Sequence, residues 1–168
     1  MTSPREELLG ELGLLLEANP ARLEEEYRAR ELYREARVEA PLAVRLDGVG
    51  WGRRLRSRGP RSLEVHRAEA RAALEAARSL GADLAYVTSD EVSILWVSRE
   101  PPYSGRVEKL DSIASGIVSS LVSLGLGQSL YYDARIVKLH GPGDAARYLL
   151  HRARVGLNNL LLTLYHRP

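Results

Sequence analysis

The sequence predicts an α+β domain with strands and helices in the order β-α-β-β-α-β. Four short runs of aliphatic and β-branched residues begin near residues 42, 84, 92 and 130. Two longer stretches, 62–80 and 110–124, repeat apolar residues at helical spacing, and each lies between two of those runs. This order is that of the ferredoxin-like split βαβ unit, in which the strands are antiparallel and both helices cover one face.

Composition limits the classes of protein that this chain can belong to. Its 168 residues suit one core with a small appendage. The net charge of +2 predicts little about partners. All but two of the 24 basic residues are arginines, which suit phosphate recognition. A GC-rich genome or a hot habitat explains that bias more simply. The absence of cysteine excludes disulfides, thiol catalysis and cysteine-ligated zinc. No run reaches the ~18 apolar residues of a membrane helix and the N-terminus lacks a signal-peptide pattern, so we expect a cytoplasmic protein without membrane contact.

Two helices are predicted ahead of the first strand. Ser3-Pro4-Arg5-Glu6 is typical of a capped helix start, and Asn19-Pro20 ends that helix and caps a second one that reaches about Ala36. The first helix carries one stripe of leucines that a single domain edge cannot easily bury, so we expect the stripe to form an interface in a homo-oligomer. The stripe consists of Leu8, Leu9, Leu12, Leu15 and Leu16.

The first strand and the turn after it form the first candidate site. Pro41 opens the run Leu42 to Leu46, which ends on Asp47 and the turn Gly48-Val49-Gly50-Trp51-Gly52. A carboxylate at a strand end, followed by glycine-rich backbone, can hold a metal ion beside amides that face phosphate oxygens. Many strands end in Asp-Gly only to turn. Five arginines follow within residues 53–61, either as a solvated loop or as contacts to RNA or triphosphate.

A second acidic site lies in the next predicted hairpin. A helix over about 62–80 carries His66, which we interpret as a surface or core residue, and the runs 84–87 and 92–97 are strand-like. The turn Thr88-Ser89-Asp90-Glu91 joins these two runs. Its acidic residues suit an ordinary turn, yet the first strand is expected to lie beside them, and Asp47 with Asp90 then predicts a metal site.

The last predicted elements bring a basic pair to the start of the second long helix. Pro101-Pro102 interrupts the chain, and Arg106 and Lys109 follow at a spacing of three, so both side chains can face an anion near that helix start. Residues 130–139 form the fourth strand. The turn 141–144 then begins a helix that reaches His151 or beyond.

Taken together, four stretches resemble the tRNA-His guanylyltransferase family, especially its archaeal and bacterial "like" proteins. They read RLDGVGW, YVTSDEVSILW, GRVEKLDS and YYDARIV, with a looser match in GLNNLLLT, and they span about residues 41–163. The family adds nucleotides to the 5′ end of tRNA in the 3′–5′ direction on a polymerase-like palm. The resemblance implies an N-terminal helical extension over 1–40, a palm catalytic domain over 41–140 and a short helical C-terminal region over 141–168.

The same resemblance implies the roles of individual residues. Asp47 and Asp90 match the metal-binding aspartates for two Mg²⁺ ions, the Gly48 carbonyl is an expected backbone ligand, and Glu91 matches a catalytic acidic neighbour. The implied substrates are GTP or ATP and the 5′ end and acceptor stem of a tRNA, handled by a homodimer or homotetramer. The implied nucleotide contacts are the amides of Val49, Gly50, Trp51 and Gly52 and the side chains of Ser89, Arg106, Lys109 and Ser112.

Departures from the family pattern leave alternatives open. Gly52 and Gly156 stand where relatives often have histidine, and relatives usually continue into a further helical part. We therefore expect a minimal member, a fragment, or a palm that has lost one step of the reaction. Two other functions are compatible with the motifs: a palm-type nucleotide cyclase, and a catalytically reduced palm subunit that binds RNA.

Overall fold

The computed structural model describes residues 3–17, 19–59 and 62–165. Arg61 of the arginine-rich segment and the residues after 165 lie outside that part, as does the side chain of Leu15 in the leucine stripe. Contacts divide the chain into two compact units, Met1–Arg34 and Glu35–Pro168.

The first unit contains α1 (Pro4–Glu17) and α2 (Pro20–Ala29). The predicted capping box is confirmed, since the Glu6 amide donates to Ser3 Oγ at 3.3 Å and the Ser3 amide donates to Glu6 Oε2 at 2.8 Å. Asn19 caps α2 by accepting from the Ala21 amide at 2.9 Å, and α2 ends well before the predicted Ala36. The four stripe leucines whose side chains are described are exposed within this unit; they are Leu8, Leu9, Leu12 and Leu16.

The second unit is built on one antiparallel sheet of four strands. These are β1 (Leu42–Gly48), β2 (Leu84–Thr88), β3 (Glu91–Trp96) and β4 (Tyr132–Lys138). Their order in the sheet is β2-β3-β1-β4, so the predicted ferredoxin-like topology is confirmed. The register sets Asp47 of β1 opposite Glu91 of β3 on one side and Asp133 of β4 on the other.

Helices connect and cover these strands. A short helix, α3 (Trp51–Arg54), and a 3₁₀ turn (Arg56–Arg58) follow β1. α4 (Leu63–Ser79) joins β1 to β2, a 3₁₀ turn (Tyr103–Gly105) precedes α5 (Val107–Leu126), and α6 (Pro142–Tyr165) follows β4.

One face of the sheet packs on α4 and α5 and holds the main core. Leu42, Val44 and Leu46 of β1 and the alternate residues of β3 point to this face. By length and composition alone α5 could cross a membrane; here its Leu110-to-Leu126 stripe packs against this sheet. Leu124, which the spacing assigns to the buried side of that helix, is 81% exposed, because the buried stripe advances in steps of four residues.

The opposite face of the sheet packs on α6. A small apolar cluster forms there from Ala43, Leu95, Leu139 and Ala145, with Leu149 packed against it. Beyond that cluster the contacts between α6 and the sheet are polar, and they lie at the end of β1 that carries Asp47.

Candidate active site

Asp47 at the end of β1 and Asp90 in the β2–β3 turn lie on neighbouring backbone segments at one end of the sheet. The Gly48 amide donates a hydrogen bond to the Asp90 carbonyl at 2.9 Å, so the end of β1 is tied to the β2–β3 turn. A Cβ on Gly48 would lie 2.7 Å from ring atoms of Trp51, and only glycine therefore lets the indole fold back over the turn. The Trp51 indole is buried and donates to the Tyr131 carbonyl at 3.3 Å.

Both aspartate side chains are half-buried, and within the described residues neither has a hydrogen bond or an ion pair. Their acidic neighbours differ. Glu91 is paired with Arg152, and Asp133 accepts from Arg135 at 2.9 Å. A half-buried carboxylate without a compensating donor favours a bound cation, because burial otherwise penalises its charge.

The aspartates and the Gly48 carbonyl are oxygen donors of the kind that Mg²⁺ prefers. No group of three or more His, Asp or Glu residues stands ready to hold a metal within residues 3–17, 19–59 and 62–165. The fit to a divalent cation therefore depends on two carboxylates and one backbone carbonyl, with water and phosphate oxygens supplying the remaining ligands, as Mg²⁺ sites in proteins commonly do.

Asp90 borders a cleft of about 700 Å³ that lies between the turn after β1, the start of α4 and the end of β2. Thr163 of α6 lines its far wall. Exposed Ser89 lines it too, with the left-handed φ of 56° that brings the chain around the turn. His66 faces this cleft and is exposed, as the surface interpretation expects. The other lining residues are mostly apolar or small: Trp51, Gly52, Leu55, Arg56, Gly59, Ser62, Leu63, Val65, Glu69, Val87 and Thr88.

Glu69 is a buried acid that sequence reasoning missed. It is 1% exposed, lines the cleft, and accepts a hydrogen bond from the Tyr132 hydroxyl at 2.9 Å. Burial raises the pKa of Glu69 to about 8, with the charge of Asp90 adding to the rise and the Tyr132 hydrogen bond opposing it. Burial and the Glu69 charge also raise the pKa of Tyr132 far above its usual value. A signal existed, since Glu69 lies four residues after Val65 and three before Ala72 on the buried stripe of α4.

Glu91 is held from the α6 side. Both of its carboxylate oxygens accept hydrogen bonds from Arg152: Nε donates to Oε1 at 2.7 Å, and Nη2 donates to Oε2. The Nε atom of Arg45 lies 3.9 Å from Oε2. The hydrogen bonds to Glu91 raise the pKa of Arg152, against the effect of burial, and the charge of Asp47 adds to the rise. Nothing in the helical pattern of α6 marked Arg152 in advance, so its part in this cluster is a finding of the structure.

Three other residues that were predicted to contact the nucleotide lie near the start of α5, at the opposite end of the sheet: Arg106, Lys109 and Ser112. Arg106 bridges to Arg37, before β1 begins, and its guanidinium pairs with Glu108. Exposed Lys109 follows in the first turn of α5, and Ser112 donates to the Glu108 carbonyl at 2.6 Å. β1 alone spans roughly 17 Å between Leu42 and Asp47 at about 3.3 Å per residue.

In one chain the turn 48–52 and the start of α5 lie at two ends of the sheet, and their contact with one triphosphate stays a prediction. Within the turn, the exposed Val49 donates its amide to the Tyr131 carbonyl at 2.8 Å, so that amide is engaged in the fold. The amides of Gly50, Trp51 and Gly52 have no partner in the described part of the chain.

Comparison with known proteins gives one family and a set of similar folds. The family model that matches, over residues 24–140, is described as tRNA-His guanylyltransferase. A solved bacterial tRNA(His) guanylyltransferase-like protein in complex with GTP is similar, with a TM-score of 0.68 and 19% identity over 79% of this chain. A bacterial protein of the same description in complex with ATP has a TM-score of 0.68 and 17% identity over 83% of this chain.

The chain spans 66% of the length of each of these two structures, just under two thirds. At such identities the likeness shows the fold. A search of the curated proteins found no match.

Proposed function

Because the chain belongs to the tRNA-His guanylyltransferase family, we propose that it is a nucleotidyltransferase that adds nucleotides to the 5′ end of tRNA in the 3′–5′ direction. The single observation that carries this proposal is the pair Asp47 and Asp90, two carboxylates without partners in the described part of the chain that lie on hydrogen-bonded backbones. Asp90 also borders the cleft of about 700 Å³, which is large enough for a nucleotide.

In this proposal Asp47, Asp90 and the Gly48 carbonyl hold Mg²⁺, and Glu91 supports them from the next strand. When bound, divalent cations would make the attacking hydroxyl more acidic and neutralise charge on the phosphates. The chain itself supplies position. The Trp51 indole packs against Gly48 in the turn after β1, and the hydrogen bond from the Gly48 amide to the Asp90 carbonyl ties the end of β1 to the β2–β3 turn.

The proposed step joins the 3′-oxygen of the incoming nucleotide to the α-phosphorus at the activated 5′ end of the RNA. The bond from that phosphorus to its leaving group breaks, releasing pyrophosphate from a triphosphate end or AMP from an adenylylated end. The hydroxyl proton passes to solvent. No side-chain nucleophile takes part, so positioning and charge neutralisation supply the rate.

The cleft beside Asp90 is the proposed site for the nucleotide, GTP or ATP. Its apolar lining residues, which include Leu55, Leu63 and Val87, suit the face of a base, and Ser89 and Asp90 are among its polar lining residues. The amides of Gly50, Trp51 and Gly52, which have no partner among the described residues, are the proposed backbone donors to the phosphates. Arg106, Lys109 and Ser112 stay predicted contacts of the nucleotide triphosphate.

The test is incubation with a 5′-truncated tRNA, Mg²⁺ and labelled nucleotides, followed by analysis of growth at the 5′ end. We expect addition by the wild-type protein and none by Asp47→Asn or Asp90→Asn. Glu75→Gln, which changes an exposed carboxylate of α4, is the matched control and should add nucleotides normally. A cyclic nucleotide as the product, or tRNA binding without addition, would overturn the proposal.

We also propose that the protein assembles as a homodimer or homotetramer that grips tRNA across subunits. The support is the exposed leucine stripe of α1 within the first unit. Light scattering on Leu12→Glu/Leu16→Glu should show a smaller particle than the wild type and a lower affinity for tRNA. A wild-type monomer would remove this part of the proposal.

A further inference from the structure

Helix α6 contacts the β2–β3 hairpin on both sides of the turn that carries Asp90. On the β2 side, a Cβ on Gly156 would lie 1.9 Å from Thr88 Oγ1, so the helix backbone lies directly against that residue. On the β3 side, the guanidinium of Arg152 donates to both carboxylate oxygens of Glu91, through Nε and Nη2. One turn earlier in α6, the Tyr148 hydroxyl and Ser93 Oγ lie 2.9 Å apart.

Arg152 compensates the negative charge of Glu91 beside Asp47, in addition to packing α6 on the sheet. Glu91 is 5% exposed and lies directly opposite Asp47 in the register, so both carboxylates point to the α6 face. Opposed residues of an antiparallel pair have Cβ atoms only about 4.5–5.5 Å apart. Without Arg152, a buried negative charge would repel Asp47 and push the start of β3 away from β1.

Arg45 pairs with Glu91 by charge alone, without a hydrogen bond. Its Nε lies 3.9 Å from Glu91, beyond hydrogen-bond distance, and is buried without a hydrogen-bond partner in the described residues. The bidentate pair is therefore the contact that fixes Glu91, and the residue immediately before Glu91 is Asp90.

We propose that Arg152 is a positioning residue for the catalytic carboxylates: through Glu91 it fixes the Ser89–Asp90 turn against β1 and so sets the spacing at which Asp47 and Asp90 receive a divalent cation. This inference rests on the proposed function for the identity of the site. Its physical content, the coupling of α6 to the turn, can be measured without tRNA or nucleotide.

The first readout is hydrogen exchange at the Gly48 amide, which is bonded to the Asp90 carbonyl and reports whether the turn stays against β1. The second is the affinity for Mn²⁺, measured as free ion by electron paramagnetic resonance. For Arg152→Gln we expect exchange at Gly48 to accelerate by about tenfold or more and Mn²⁺ to bind at least about tenfold more weakly, as loss of an outer partner typically does. Arg154→Gln, an exposed arginine two residues along the same helix, should change neither.

A double variant separates positioning from general destabilisation. Arg152→Gln/Glu91→Gln removes both charges and allows an amide–amide hydrogen bond, so Gly48 protection should recover toward wild type. If Arg152→Gln does not fold, Arg152→Lys keeps the charge without the fork and should show the same losses in smaller degree. Wild-type exchange and Mn²⁺ affinity in the single variant would overturn the proposal, and so would a double variant in which Gly48 is no better protected than in the single one. Loss of Gly48 protection in a protein that adds no nucleotide to tRNA would refute the proposed function and leave the coupling intact.

Discussion

On the α4 and α5 face of the sheet, Leu46, Ile94 and Trp96 are fully buried among apolar side chains. On the α6 face, the neighbouring strand positions are Arg45, Glu91 and Ser93, which are bound to polar groups of α6 or face each other across the register. The first face stabilises the fold through burial of apolar area, and the second holds charges in fixed places beside Asp47. One strand can therefore stabilise the core and position charged groups at the same time, because successive side chains point to opposite faces.

Removal of a large core side chain on the α4 and α5 face should give the largest loss of stability. Trp96 is fully buried, and its indole donates to the Leu80 carbonyl at 3.3 Å. Trp96→Ala should lower the free energy of unfolding by about 3–5 kcal/mol, since a cavity and an unpaired carbonyl remain. Urea unfolding measures the change. A loss below about 1 kcal/mol would mean that this face is not the main core.

Glu69, an acid of α4 that is buried beside this face, should make stability depend on pH. The pKa of Glu69 is raised from 4.5 in the unfolded chain to about 8, so its stabilising contribution is complete below pH 4.5 and is lost as the pH rises through about 8. At about 1.4 kcal/mol per pKa unit the loss is of the order of a few kcal/mol. Glu69→Gln should show a much smaller fall in the free energy of unfolding between pH 5 and 8.5. Parallel profiles for the two proteins would contradict the assignment.

A side chain at the closest approach of α6 should disturb the polar face. In Gly156→Ala the new methyl group meets Thr88 Oγ1, and the overpacking should cost about 1–3 kcal/mol and loosen α6. Gly116→Ala is the control, because a Cβ there meets nothing within 4 Å in a helix of similar length. That control should be neutral or slightly stabilising in thermal unfolding. Equal effects of the two substitutions would show that α6 does not lie against β2.

The smallest expected effect is the loss of one hydrogen bond between α6 and the sheet. Tyr148→Phe removes the hydroxyl that pairs with Ser93 Oγ and should lower the free energy of unfolding by about 0.5–1.5 kcal/mol. Proteolysis of the C-terminal helix, measured beside the unfolding curve, shows whether α6 has loosened. An unchanged curve together with unchanged proteolysis would place that contact outside the forces that hold the helix.

Sequence patterns predicted the sheet because alternation and helical spacing are local signals. The strand boundaries, the capping box at Ser3 and the hairpin around Asp90 follow from residues close together in the chain. Distances between elements that are far apart in the sequence do not follow from such local signals. That Arg106 and Lys109 begin α5 at the end of the sheet away from the glycine turn became visible only with the direction of α5.

The cluster around Glu91 was beyond sequence reasoning for the same physical cause. Arg152 reaches Glu91 across 61 positions of sequence, and no spacing within α6 marks that contact. Gly156 reads as a departure from the family pattern, whereas the structure gives it a steric reason, since no side chain fits between α6 and Thr88. Glu69 is the intermediate case, because its place on an apolar stripe was visible and its partner Tyr132 was not.

The most direct test of the account is a titration of the wild-type protein with Mn²⁺ beside Asp47→Asn, Asp90→Asn and the control Glu75→Gln. Asp47 and Asp90 are the carboxylates at this end of the sheet without partners in the described chain. We therefore expect cation binding in the wild type and the control and its loss in both aspartate variants, with no loss of thermal stability in metal-free buffer. Equal Mn²⁺ affinity in all four proteins would contradict it.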